Sequence, residues 1–223
     1  MRVLSWNLFH GRSVPPGGRD LEGEFARALA SWPWDVALLQ EVPPWWPDTL
    51  ARVAGAEQRT ALTSRNSLPW LRRSIARRWP DAIKSNGGGA NAILSRRALL
   101  DARTVRLRTR PERRVAQLAR IAPGLVVANF HGSTRVTLAE QELARLWSLG
   151  LDLADGSPLI LGGDLNLRSP VAPVAGADHA AARDVDHIFC LGLTARGEAQ
   201  ALAPALKDGA ALSDHPPLLV ELA

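Results

Sequence analysis

Cysteine is nearly absent from this 223-residue chain, and its one copy, Cys190, rules out an internal disulfide. Cys190 sits in the apolar run Ile188-Phe189-Cys190-Leu191 and reads as a buried core thiol rather than a nucleophile. No histidine falls among paired cysteines, which excludes a structural zinc site. Long apolar runs are also missing. None approaches the ~18 residues of a membrane span, and the opening Met1-Arg2-Val3-Leu4-Ser5-Trp6-Asn7 lacks the apolar core and cleavage site of a signal peptide. The expected compartment is therefore the cytoplasm. Lysine is scarce: Lys84 and Lys207 are the only two, so the formal net charge of +5 comes from arginine. A basic surface suits phosphate-bearing partners, and an Arg- and Ala-rich composition is equally what a GC-rich genome produces.

What remains is ordinary for a soluble domain: 46% hydrophobic and 22% charged residues. A chain of this length buries roughly 70% of its unfolded surface, so its core needs no covalent staple. Residues 1–223 are expected to form one domain, acting as a monomer.

Short apolar runs alternate with amphipathic stretches. Strands are expected at Val3–Asn7, Val36–Gln40, Asn91–Ser95, 102–108, 114–121, 125–130, Leu159–Leu161, Val185–Cys190 and Leu218–Leu222. Asp20 can cap a helix carrying Leu21, Phe25 and Leu29, which Trp32-Pro33 ends. Further helices are expected over Pro44–Ala54, Leu68–Trp79 and, most clearly, Arg135–Leu151. Asn86-Gly87-Gly88-Gly89 and Ser169–Arg183 read as loops. Consecutive strands in the middle of the chain exclude a simple doubly wound sheet and favour a mixed α/β sandwich.

The polar residues fall in a pattern. Asn7, Glu41, His131 and Asp164 each close an apolar strand, and Asp214-His215 precede the last one. A strand buried on both faces leaves polar groups only at its ends, where a cleft can form. Asn7, Glu41 and Asp214 are hard oxygen donors of the kind Mg²⁺ takes while keeping several waters. Asp164 and Asn166, two apart, share one face of an extended backbone, and Pro216-Pro217 restrict the chain after Asp214-His215.

Ser5-Trp6-Asn7, Leu39-Gln40-Glu41-Val42, Asn91-Ala92-Ile93-Leu94-Ser95-Arg96, Asn129-Phe130-His131, Gly163-Asp164-Leu165-Asn166, Asp186-His187-Ile188-Phe189 and Ser213-Asp214-His215 follow one another from residue 5 to 215. In that order they resemble the motifs of the endonuclease/exonuclease/phosphatase superfamily. The resemblance implies a four-layer α/β/β/α sandwich of two packed mixed β-sheets with one cleft at the sheet edges. It implies a Mg²⁺- or Mn²⁺-dependent phosphoesterase that hydrolyses phosphodiesters, with nucleic acid as a candidate substrate. Phospholipid head groups, inositol phosphates and other small phosphate esters form the alternative, and a non-catalytic phosphate-binding module a third class. On this pattern Asn7, Glu41 and Asp214 serve the metal. His215, held by Asp186, activates water. His131 and Asn166 contact the phosphate, and Asp164 orients water or handles a proton. Asn91 matches a substrate-contact position, although Ala90 stands where a glycine is often seen. Whether Asp164 or His215 is the base, and whether one ion or two bind, stay open at this level.

Tyrosine is wholly absent. Abasic-site endonucleases of this superfamily carry a cleft tyrosine and generally lack the histidine seen here as His131, so the chain resembles instead the deoxyribonuclease I, sphingomyelinase and inositol-phosphatase branches. Among the other histidines, His187 and His179 are expected to be structural or loop residues, and His10, just after the first strand, reads as a cleft-rim residue or, by preference, an exposed loop histidine. Arg72, Arg73, Arg77 and Arg78, with Trp70 and Trp79, read either as a polyanion surface or as a solvated helix with apolar anchors. Trp45-Trp46 read equally as a cleft rim or a core staple.

Overall fold

The computed structural model describes residues 1–64, 67–81 and 89–223. The first half of the chain forms β1 (Arg2–Asn7), β2 (Ser13–Val14), α1 (Glu22–Ser31), β3 (Val36–Val42), α2 (Pro47–Ala54), β4 (Glu57–Leu62), α3 (Pro69–Arg78), β5 (Ala90–Ser95) and β6 (Leu99–Arg108). The second half forms β7 (Arg114–Ile121), β8 (Leu125–His131), α4 (Val136–Ala154), β9 (Leu159–Asp164), β10 (Asp178–Arg183), β11 (Asp186–Leu191), β12 (Gln200–Ala201), β13 (Ala211–Leu212) and β14 (Leu218–Glu221).

Two six-stranded sheets result, ordered β12-β14-β1-β3-β5-β4 and β10-β11-β9-β8-β7-β6. Both are mixed: β1 runs parallel to β3 and β8 parallel to β9, while the other neighbours are antiparallel. Strand alternation sorts each sheet's side chains into an inner and an outer set. Val3, Val36, Leu38, Ile93, Val127, Ile160 and Ile188 pack between the sheets. Leu4, Trp6, Ala37 and Leu39 face α1 and α2 on one outer side. Val126, Ala128, Phe130 and Leu161 face Leu143, Leu146 and Trp147 of α4 on the other. Helix, sheet, sheet and helix make the expected four layers, and strands covered on both faces explain why so many read as unbroken apolar runs.

Polar residues enter the inner layer near the strand ends. Asn129 donates from Nδ2 to the carbonyls of Leu39 (2.9 Å) and Ala92 (3.0 Å) across the sandwich and accepts from Gln40 Nε2 at 2.8 Å. Gln117 Nε2 donates to the Arg59 carbonyl at 2.7 Å. Most buried amides have such partners, and this network ties one sheet to the other.

Several expectations change. Asp178–Arg183, expected within a loop, forms edge strand β10 by pairing with β11. Its sequence, Asp-His-Ala-Ala-Ala-Arg, has little strand propensity, so the neighbour supplies the reason. Polar β4 (Glu-Gln-Arg-Thr-Ala-Leu) is likewise an edge strand held by β5. The second helix begins at Pro47 rather than Pro44, because proline fits the first helical turn. The residues Asn86–Gly88 of the expected glycine loop lie outside the described residues. Trp46 is buried against the α1–α2 layer and Trp45 packs beside it, so this pair is a core staple. Cys190 is buried, its thiol donates to the Leu193 carbonyl, and burial, with the Asp178 charge nearby, pushes its pKa to about 11.

Candidate active site

Register sets the site. Within the second sheet, His131 of β8 pairs with Asp164 of β9, which pairs with Asp186 of β11, so three polar residues form one row across three strand ends. Asn7 ends β1 in the facing sheet, and its Nδ2 donates to Asp164 Oδ2 at 2.9 Å. The same carboxylate oxygen lies 3.5 Å from His131 Nε2 and 3.9 Å from His215 Nε2. Asp164 thus joins both sheets and the C-terminal loop.

Gly163 allows this. Its φ of 140° suits glycine, and a Cβ there would run into the Phe130 carbonyl oxygen. After β9 the backbone turns: Asn166 takes φ 52°, its N–H donates to Asp164 Oδ1 (3.1 Å) and its Nδ2 donates to the Gly132 carbonyl (3.0 Å). Asn166 therefore reaches the cleft through a left-handed turn, not through the strand alternation expected from its spacing.

Glu41 interrupts β3. The β3–β5 register shifts between Leu39 and Val42, and Glu41 holds φ 50°, a conformation that costs energy for a side chain of this type. Its Oε2 lies 3.0 Å from His10 Nε2 and its Oε1 4.0 Å from His131 Nδ1. Burial alone would raise the Glu41 carboxyl, but the hydrogen bond and charge of His10, with His131 and His215 behind, outweigh it and hold the pKa at about 2. His10, read from the sequence by preference as an exposed loop histidine, is instead a cleft residue paired with Glu41. It lies in a short helical turn, Phe9–Gly11, at φ 53°, a backbone state no local pattern announced.

Asp214 and His215 sit on the loop before β14. Ser213 Oγ donates to the Asn7 carbonyl at 2.6 Å, and Trp6 Nε1 donates to the His215 carbonyl at 3.0 Å. These two bonds lock the loop to β1. His215 Nδ1 lies 2.7 Å from Asp186 Oδ2. Burial would lower the His215 pKa, yet the Asp186 bond and charge, followed by Asp164 and Asp214, lift it to about 9. Asp186 is itself raised by burial against the pull of His215. Burial also lowers His131, with Asp164 pulling up and Arg114 pushing down.

These groups line a cleft of about 1230 Å³. Asn7, His10, Glu41, His131, Asp164, Asn166, Asp214 and His215 occupy one side, and Arg72, Arg110, Arg113 and Arg114 also border it. Asp186 stands behind His215. Asn91 does not border the cleft: it is buried in β5, and neither its Oδ1 nor its Nδ2 has a partner. His187 and His179 form a separate pair on the outer side, with Nε2 of His179 3.0 Å from Nδ1 of His187 and Nε2 of His187 2.6 Å from the Leu167 carbonyl.

The donor set is rich in oxygen. Glu41 stays anionic at neutral pH, Asn7 and Asp214 line the same cleft, and such oxygen-bearing side chains fit a hard divalent cation. Asp164, Asp186 and His215 also bring three ligand atoms within 4.8 Å of one another. Two of these residues are already joined by the 2.7 Å hydrogen bond, which favours oriented proton transfer for that trio.

Comparison with known proteins agrees with this fold. The model of the Endonuclease/Exonuclease/phosphatase family matches residues 4–215. The chain belongs to this family. Its members hydrolyse phosphate esters, and a phosphoesterase-type function comes with membership. A search of curated proteins finds no match. Among solved structures, the chain is similar to an endonuclease/exonuclease/phosphatase from Beutenbergia cavernae (18% identity, TM-score 0.68, covering 100% of this chain and 71% of that one). It is also similar to the mannosyl-6-phosphatase Bt3783 of Bacteroides thetaiotaomicron (14%, TM-score 0.74, 100% and 99%). A third is humanized D. rerio TDP2 (16%, TM-score 0.67, 100% and 98%). At these identities the likeness is one of fold. No helix among the described residues is long and apolar enough to cross a membrane.

Proposed function

We propose that this chain is a hydrolase of phosphodiesters that depends on Mg²⁺ or Mn²⁺, with nucleic-acid strands as the first substrate class to test. One observation carries the reading: a single carboxylate oxygen, Asp164 Oδ2, is approached by Asn7, His131 and His215 from three separate segments. That density of proton-handling groups at one point serves a reacting centre better than it serves stability.

Asn7, Glu41 and Asp214 are the residues that would hold the ion. A divalent cation held there would supply charge neutralisation for the non-bridging and leaving oxygens of the ester. Asp186 accepts from His215 Nδ1, which fixes the ring and turns Nε2 toward the cleft; the neutral ring, whose share grows as pH rises toward about 9, takes the proton of the attacking water there. Asp164 lies beside that Nε2 and orients the water. His131 and Asn166 bind the phosphate oxygens, and the arginines at the cleft border draw in the anion.

The test is hydrolysis of bis(p-nitrophenyl) phosphate with Mg²⁺ or Mn²⁺. Activity should vanish with chelator and fall by roughly a hundredfold or more in Asp164→Ala and His215→Ala. Full activity in either variant rejects these roles. Plasmid and single-stranded DNA, run against inositol phosphates and sphingomyelin, then identify the substrate class.

A further inference from the structure

Helix α3 has no buried residue. Trp70 and Trp79 are 68% and 60% exposed, whereas the other six of the eight tryptophans are buried or half-buried. The apolar anchors expected for this segment therefore join no core cluster among the described residues.

The exposed residues are ordered. Leu71 and Ile75, four apart, share one side of the helix, and Leu68 and Trp79 stand just beyond its two ends. Leu68 is 57% and Leu71 38% exposed, and Ile75 is only half-buried. Arg73 and Arg77 lie on the opposite side with Trp70 beside Arg77, and Arg72 and Arg78 flank the apolar pair. No acidic residue occurs between Leu68 and Pro80. The helix is thus amphipathic and basic, with an apolar side left in water.

We propose that α3 docks this protein on anionic lipid bilayers. The charge selects an anionic partner. A second copy of the chain would set arginine against arginine. A nucleic-acid strand would satisfy the arginines and stack on tryptophan, but would leave Leu68, Leu71 and Ile75 in water. A bilayer meets both needs: hydrocarbon takes the aliphatic stripe, the interface takes tryptophan, and the arginines reach the lipid phosphates. Ten helical residues span about 15 Å, enough to lie in the surface and too short to cross. Ser67 and Arg72 border the cleft, so docking brings the cleft mouth to the lipid surface. This surface goes beyond the phosphodiester reading, since attachment to lipid requires no turnover.

The experiment is co-sedimentation of the full chain with phosphatidylcholine vesicles with and without phosphatidylserine. Binding should require phosphatidylserine and weaken with added salt. It should fall by roughly tenfold or more in Leu71→Ser/Trp79→Ser and in Arg73→Glu/Arg77→Glu, with circular dichroism and bis(p-nitrophenyl) phosphate turnover unchanged. The proposal is overturned if anionic vesicles bind no protein or bind both variants as well as the parent. It is equally overturned if the same substitutions abolish capture of a single-stranded oligonucleotide while vesicles remain unbound. Vesicle binding by an inactive protein would reject the phosphodiester reading and leave this one standing.

Discussion

Asp186 and His215 are 29 residues apart in sequence and 2.7 Å apart in space, joined by a hydrogen bond from the ring Nδ1 to a carboxylate that burial would otherwise neutralise. Each partner favours the charged form of the other. Asp186→Asn removes that carboxylate while preserving shape. His215 should then titrate well below its present value of about 9 in ion-free protein, followed by NMR of the ring protons. Turnover should fall roughly a hundredfold or more with KM little changed. An unshifted His215 titration would separate the two residues functionally.

Glu41→Gln and His10→Ala probe the cation side. Glutamine removes the charge from the proposed ligand, and alanine removes the side chain that orients it at 3.0 Å. Loss of a ligand's orienting partner typically weakens a metal site by roughly 10–100-fold. Titration calorimetry with Mn²⁺ should show weaker binding in both variants, and identical isotherms would place the ion elsewhere.

Gly163→Ala puts a methyl group against the Phe130 carbonyl at φ 140°. It should cost about 2 kcal/mol or more in urea unfolding. Because Asp164 follows directly, activity should fall further than the lost stability explains at low temperature.

Asn129→Ala leaves Gln40 and two backbone carbonyls without their inter-sheet donor or acceptor. The expected loss is about 2–4 kcal/mol, seen as an earlier urea midpoint with an unchanged slope. A neutral result would mean the sheets are held by Val127, Ile160 and their apolar neighbours alone.

The outer pair of histidines gives a pH dependence. Burial lowers the His187 pKa from its ordinary 6.5, and burial lowers His179 as well. A histidine lowered in the fold stabilises it while neutral. That contribution is present above about pH 6.5 and is lost as pH falls through the lowered value. The melting temperature should drop on acidification from pH 7 to pH 5. His187→Gln, whose amide can still donate to the Leu167 carbonyl, should drop less; an equal drop would assign the effect to other groups.

Much of this was legible in the chain itself. Apolar runs such as Leu159-Ile160-Leu161 and Leu125-Val126-Val127 announced strands covered on both faces, and polar residues closing them announced where a cleft would lie. The helix from Arg135 was visible because α4 carries a regular apolar side. Edge strands β4 and β10 were not legible. One neighbour suffices to make an edge strand, so its composition stays polar or small. His10 was hidden for a related reason: its turn depends on φ 53°, a value that contacts select and no local periodicity encodes.

Residue order alone determined the layered class, the apolar faces and the identities of the groups able to handle protons and cations, because those follow from side-chain chemistry and its spacing. Only the tertiary structure decided which of them meet. It put His131, Asp164 and Asp186 in one row through strand register, bent the chain at Glu41 and Asn166, drew His10 in and buried Asn91 two residues from the cleft-lining Gly89. Register and left-handed turns are set by packing between distant segments, and that information exists only once the sheets have closed on each other.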